Sequence, residues 1–474
     1  MSAAGALLVA AALAGCGTTT FFAGRQLPPS GLPTRVLIAI QNPSSLTKGA
    51  LEIVDAFYDT RYKFNNSTQT FSISGYSGAL PISIQNMPEE QTGAVYGAGD
   101  GSLTPIGYGK EASAGAVKGL TGASSSIFIT RSQTYVIAAQ QAAHGLSIVN
   151  QVTGATVGLG LPGIYRVSVN PGGSTALAFV QNSDYIYYPR QLTAAQTITF
   201  SGGPTTWPKA AIDCEPQNAP SWCLFQAQSP DATDATGNSY GAPLAFDRPI
   251  KAVFSGDGAT AYILNCGPEC GGTASSVSLL PVAPTIFLTS QSSGNLPKTG
   301  SITTIPVPGG ASNAVVTGST MYVAGQQLMP DGLFTGNLTV LNLASNTAGN
   351  PVSISDGAPG AVSRMLLGDD NTLWIGMTKC NNGERFVTGQ AYGCLTMYNT
   401  VNNSVTLLEP YLGDATGIAN IDTYHKVYVA QGGQVYIYST KDGSSINNQY
   451  VTVTGTAWDV AFIDSTTDSN NTVY

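Results

Sequence analysis

Two histidines, His144 and His425, are the whole imidazole supply of this 474-residue chain. That count excludes a multi-histidine metal centre, and a Ser-His-Asp triad would have to use one of the two. His144 stands before an expected third strand and His425 in an expected turn on the other face, so they do not share a site. Seven cysteines offer more. With Cys16 set aside, Cys214 and Cys223, Cys266 and Cys270, and Cys380 and Cys394 form three sequence-local pairs in Gly-, Pro- and Asn-rich stretches. Such pairs suit disulfide-stapled loops in an oxidising compartment. Zinc is the competing reading, but no pair has Cys-x-x-Cys spacing and no histidine lies near. Among carboxylates, Asp369-Asp370 reads as a turn between strands rather than an acid/base pair. Asp231-Ala232-Thr233-Asp234-Ala235-Thr236-Gly237-Asn238 could wrap Ca²⁺, since hard cations take several oxygens from a Gly-containing loop, but its spacing departs from alternate ligand positions and suits a solvated turn as well. No cofactor is expected, with Ca²⁺ the one ion left open.

The elements that would position such groups follow from composition. Only 10% of residues are charged and 43% are apolar, so the chain has a core to bury and is not disordered. Nineteen basic against 27 acidic residues leave a net charge of −8 with no Lys/Arg run, which removes the basic footprint that nucleic-acid binding needs. Fifty-five Gly and 27 Pro imply many tight turns.

Residues 3–14 are an uncharged apolar run, shorter than the ~20 residues that span a bilayer, and read as the core of a secretion signal. The run ends in Leu13-Ala14-Gly15-Cys16, which resembles the lipobox of bacterial lipoproteins. The resemblance implies cleavage before Cys16, acylation of that residue and membrane anchoring through it; Gly17 in place of Asp implies the outer membrane or cell surface. No Lys or Arg opens the run, which leaves open whether the true start lies upstream of Met1. The organisation read from this is a signal at 1–15, a tether at 16–34, a folded body at 35–464 with a stapled insertion at about 203–248, and a tail at 465–474.

The body shows no helix signal. Short apolar strands are broken by Gly, Pro, Asn, Asp or Ser. One phrase recurs: an apolar strand, a polar turn, then a strand of small and aromatic residues. It runs from Tyr165 to Phe179 around Asn170-Pro171-Gly172-Gly173 and from Lys251 to Ile263 around Ser255-Gly256-Asp257-Gly258. Looser copies turn at Thr317-Gly318-Ser319-Thr320, Gly368-Asp369-Asp370-Asn371 and Asp422-Thr423-Tyr424-His425. A third strand and hairpin follow each, giving the repeat of a propeller blade. The phrase resembles YVTN-type β-propellers, a family with binding, scaffold and enzymatic members. The expected fold is an all-β propeller of four-stranded blades, eight by count of inner strands near 80, 126, 164, 250, 312, 362, 416 and 457, with seven as the alternative. The least regular blade falls at 80–119. The strand from Arg35 to Ile40 and the strand from Ala457 to Ile463 are expected to pair and close the ring.

In such a meander the loops between second and third strands and the connections between blades share one face. Long insertions collect there: 265–275, 325–336, 378–393 and the connection at 202–248. A ligand rim is therefore expected at Trp207, Trp222, Tyr240, Glu269, Glu384, Arg385, Phe386 and Tyr392, although Trp207 and Trp222 would equally suit a small core within the insertion. Three functions follow. The first is a lipid-anchored, non-catalytic module binding a glycan, peptide or envelope protein through the rim. The second is a propeller enzyme, a lyase or lactonase-like hydrolase, with its site at the central channel. The third is a structural subunit of an envelope assembly.

Overall fold

The computed structural model describes residues 27–61, 70–143, 145–192, 211–216, 221–229, 232–233, 239–282, 302–355, 359–380, 392–408, 412–446 and 450–468. Short strands broken at Gly-, Asn- and Asp-rich turns assemble into eight antiparallel sheets, the blades of one propeller. Numbered from the N-terminal side of the ring, their inner strands are Pro81–Met87 (I), Ser126–Ile129 (II), Ile164–Val169 (III), Pro249–Phe254 (IV), Asn313–Thr317 (V), Ala361–Gly368 (VI), Ala415–Ile421 (VII) and Thr456–Phe462 (VIII). The eight starts fall where the repeat places them, so the count is eight, not seven. Most blades have four strands, whereas blade VII pairs three and blades III and V five. The irregular stretch at 80–119 is a complete blade. Its first turn escapes the Gly-based phrase because Pro88–Glu90 forms a single 3-10 turn ended by Gln91 at φ 53°.

The apolar residues pack between blades, and each of the eight interfaces holds its own cluster. Strand Arg35–Gln41 shows why the strands read as apolar runs rather than alternating patterns. Val36, Ile38 and Ile40 face blade VII while Leu37 and Ala39 face blade I, so both sides are buried.

Closure is the expected one. Thr456–Phe462 pairs antiparallel with Arg35–Gln41, with Leu37 opposite Ala461, and no sheet edge faces a gap in the ring. Arg35 ties both chain ends to blade I. Its guanidinium lies 2.9 Å from Glu111 and 2.6 Å from Asp464 and donates to the Tyr108 carbonyl at 2.8 Å. Glu111 also accepts from the backbone N–H and hydroxyl of Ser30.

All three expected disulfides are present, but two of the expected long loops are not loops. Residues 325–336 extend the hairpin of blade V, paired as far as Leu328 opposite Phe334. Within the supposed insertion, Trp222–Gln226 is the fourth strand of blade III and Ala211–Glu215 its fifth. Cys214 and Cys223 lie opposite each other across those two strands. This disulfide therefore staples the outer edge of a blade and not a rim loop.

Candidate functional site

The inner strands carry only four charged residues, Arg166, Lys251, Arg364 and Asp459. All four occupy one structural position. Six of the eight inner strands are bulged near their N-terminal ends, where one residue is skipped in the ladder: Ile82, Tyr165, Ile250, Ser363, Thr416 and Trp458. The next residues in these strands are Ser83, Arg166, Lys251, Arg364, Gly417 and Asp459. A bulge locally bends a strand and re-aims its side chains, which makes such positions recurrent at functional sites. Here the same device, repeated blade by blade, sets one polar tier at the mouth of the channel, on the face of the second-to-third strand loops.

Asp459 is fully buried, and its partners come from several blades. Arg364 reaches it from blade VI, Nη2 to Oδ2 at 3.2 Å. The backbone N–H of Ile84 in blade I donates to it at 2.8 Å, and that of Val460 at 3.0 Å. Burial pushes the Asp459 carboxyl up, and Arg364 with these N–H groups draws it back. The Arg364 side chain crosses blade VII where that blade has Gly417. A Cβ there would stand 2.5 Å from Asp459 Oδ1 and 2.6 Å from its Cα. Gly417→Ala is therefore expected to destabilise the protein by about 1–3 kcal/mol through overpacking, read as a lower denaturant midpoint with unchanged slope; an unchanged midpoint would contradict the packing described.

Lys251 differs from the others. Its Nζ donates to Asn313 Oδ1 on blade V at 3.0 Å, and no carboxylate of the described residues lies within ion-pair distance of it. Burial, then the neighbouring charges of Arg166 and Arg364, push its amine down to about 7. Beside this tier a cleft of about 220 Å³ opens between blades III and IV, lined by Tyr165, Ile250, Pro249, Arg248, Asn182 and Cys270 among others. Tyr165 and Ile250 are the bulged neighbours of Arg166 and Lys251, and the buried Tyr165 hydroxyl has no hydrogen-bond partner among the described residues.

Of the residues expected on the rim, four lie among the described residues: Trp222, Glu269, Tyr240 and Tyr392. Trp222 is 5% exposed and its ring meets Tyr135 edge-on in the core between blades II and III, so it offers no accessible face. Glu269 follows Cys266 in a 3-10 turn and accepts from Gln326 through its backbone N–H and its side-chain amide, both at 2.9 Å, which ties blade IV to blade V. Burial pushes its carboxyl up. The backbone of Tyr240 forms a two-residue strand with residues 232–233, and Tyr392 lies in the third strand of blade VI. Trp207, Glu384, Arg385, Phe386, His144 and most of the 231–238 loop lie outside the described residues, as does Cys16.

The opposite face carries a second cluster. Asp369 and Asp370 are in the first turn of blade VI, as expected, and His425 is in the first turn of blade VII. One ligand atom from each lies within 4.8 Å of the others, a set that could hold a divalent cation such as Ca²⁺. His425 Nδ1 is 2.9 Å from Asp370 and 3.3 Å from Asp369. Burial pushes the Asp369 carboxyl up, whereas the Thr440 hydroxyl, donating to Asp370, lowers that one. Asp370 and His425 lie 55 positions apart in the chain; adjacent blades put equivalent turns side by side.

Together these features define an eight-bladed β-propeller with a polar tier at one mouth of its channel. No family model matches the chain, and no curated protein matches it. Among solved structures it is similar to the dihydro-heme d1 dehydrogenase NirN, with 9% identity over 93% of this chain and 79% of that one and a TM-score of 0.53. It is also similar to AztD from Citrobacter koseri, with 11% identity, coverage of 90% and 97% and a TM-score of 0.49. A third is the periplasmic gluconolactonase PpgL of Pseudomonas aeruginosa, with 14% identity, coverage of 90% and 98% and a TM-score of 0.42. At these identities the likeness is one of fold, and the fold hosts enzymes and other proteins alike.

Proposed function

We propose that the protein binds a small organic anion in its central channel, at the mouth framed by the second-to-third strand loops. The observation that carries this reading is the bulge-positioned tier: three cations and one acid are the only charged groups on the inner strands of a chain whose overall charge is −8. The sign of the channel wall is thus opposite to that of the protein, and low-dielectric walls concentrate its field. The single acid is engaged by Arg364, so the net sign of the tier is positive, which suits a carboxylate or phosphate. With one engaged acid on the inner strands, this wall supports anion binding better than hydrolysis by paired carboxylates. This reading takes up the central channel, which the enzymatic alternative invoked, in preference to the rim. Calorimetric titration of the soluble body with small carboxylates and phosphate esters tests the reading: one-site binding that weakens in Arg166→Met supports it, and binding indifferent to that change contradicts it.

The address belongs to the same proposal. Three disulfides fit an oxidising compartment, and Leu13-Ala14-Gly15-Cys16 supports an exported protein with Cys16 lipidated at the outer membrane or cell surface. Cys16→Ser is expected to abolish incorporation of radiolabelled palmitate and to shift the protein from the membrane fraction to the soluble envelope fraction. Retention in the membrane fraction without label would count against the anchor.

A further inference from the structure

We propose that Asp369, Asp370 and His425 form a binding site for a divalent transition ion of the zinc class, on the face of the ring opposite the mouth that the anion reading uses. The inference is independent of that reading. Asp369 and Asp370 come from the first turn of blade VI and His425 from the first turn of blade VII, and one ligand atom of each lies within 4.8 Å of the others. His425 Nδ1 stands 3.3 Å from Asp369 Oδ2 and 2.9 Å from Asp370 Oδ2. Zinc held tetrahedrally by nitrogen and oxygen at about 2.0–2.1 Å sets its donors about 3.3 Å apart, so the imidazole already stands at ligand separation from both carboxylates. Asp369 supplies the observation that asks for a cation. Its side chain is 15% exposed, and both its oxygens are buried with no hydrogen bond of ordinary geometry among the described residues. Against burial, which pushes this carboxyl up, it has the Asn420 side chain and the charge of His425. A buried carboxylate so placed is costly unless a full positive charge meets it.

The ion class follows from the donors. Ca²⁺ and Mg²⁺ take oxygen ligands, whereas an imidazole nitrogen beside carboxylates suits Zn²⁺ and its neighbours in the transition series. Two carboxylates balance the double charge of the ion, and a neutral imidazole completes three protein ligands. The surroundings hold these donors in place. The Thr440 hydroxyl donates to Asp370 Oδ2 at 2.6 Å, the kind of outer hydrogen bond that orients a ligating carboxylate. Of the other charges that act on the cluster, Asp422 adds negative charge at Asp369 and Lys441 positive charge at Asp370. The His425 side chain is 48% exposed, so an ion reaches the site from solvent and keeps a position for water, as three-ligand zinc sites do. Bound there, it would tie blade VI to blade VII.

The test is a calorimetric titration with ZnCl₂, and in parallel with CaCl₂, of the untagged body, stripped of metal with chelator and with its disulfides intact, for wild type, His425→Asn and Asp369→Asn. Wild type is expected to bind one Zn²⁺ per chain at least about tenfold more tightly than Ca²⁺, and each variant to weaken Zn²⁺ binding at least about tenfold. Imidazole ¹⁵N spectra of wild type give a readout that does not depend on the variants folding. The chain has two histidines, and Zn²⁺ should move the signals of one ring to a metal-bound position and leave the other in place. No stoichiometric Zn²⁺ binding by wild type, no shifted imidazole signal, binding unchanged in folded His425→Asn, or Ca²⁺ bound as tightly as Zn²⁺ overturns the proposal. Titration of the same proteins with small carboxylates reads the channel separately, so either site can fail while the other stands.

Discussion

Replacing Asp459 by Ala should lower the stability of the protein by about 3–5 kcal/mol, because it leaves the Arg364 guanidinium buried without its carboxylate partner. The effect is expected to exceed that of an ordinary core truncation for a topological reason. Asp459 lies on the strand that closes the ring, accepts the N–H of Ile84 in blade I, and is reached by Arg364 across blade VII. One carboxylate thus connects the last, the first and the sixth blades at the position where chain ends meet. Equilibrium denaturation of Asp459→Ala beside the double variant Asp459→Ala/Arg364→Met checks the argument. Removing both partners should restore much of the loss, since no buried charge is then left unpaired. A double variant as unstable as the single one would show that the cost lies in packing rather than in the charge.

The second large effect runs in the opposite direction. Lys251→Met is expected to stabilise the protein by about 1–4 kcal/mol at pH 7, while weakening anion binding by about 10- to 100-fold through loss of a charge-assisted hydrogen bond. The sign follows from the amine. It titrates near 7 in the folded chain against an ordinary value of 10.5. Between those values the unfolded chain binds the additional proton, so stability rises with pH across the window and the penalty is complete below 7. Wild type should therefore lose stability relative to Lys251→Met as pH falls from about 10 toward 7. Anion affinity should rise as pH falls through 7, because the bound anion holds the proton on Nζ. Thermal melts and titrations at matched pH values read both slopes. A group that costs stability and serves a ligand is the combination expected of a functional site; a Lys251→Met protein that is less stable than wild type would make Lys251 a structural residue instead.

The architecture was legible in the chain because strand pairing in a propeller is local. Each phrase of strand, turn and strand, such as Lys251 to Ile263, pairs with itself, so the repeat survives as a sequence pattern. Closure was legible for a related reason: Arg35–Gln41 had no inner strand before it and Thr456–Phe462 no partner after it. The site was not legible at the same level. Cys214, Cys223 and Trp222 read as an armed loop because Gly, Pro and Ser surround them, yet pairing of Trp222–Gln226 with Ile186–Gln191 makes them part of a blade. Long second-to-third strand connections suggested a rim, whereas pairing carried one of them, 325–336, into the sheet. The signal that would have found the channel tier was present and unused. Setting Tyr165-Arg166-Val167, Ile250-Lys251-Ala252, Ser363-Arg364-Met365, Thr416-Gly417-Ile418 and Trp458-Asp459-Val460 in one register places four charges and one glycine in a single column. A charge in a strand buried on both faces is expensive, and four at one repeat position point to the axis. Asp369, Asp370 and His425 follow the same logic, since they occupy equivalent turns of consecutive blades.

The most direct measurement is a calorimetric titration of the disulfide-intact body with small carboxylates and phosphate esters at pH 6.5, in parallel for wild type, Lys251→Met and the remote control Lys441→Met. The channel reading expects saturable one-site binding of at least one such anion by wild type and by Lys441→Met, and binding weakened at least about tenfold in Lys251→Met. Equal binding by all three proteins, or none by any, would contradict it.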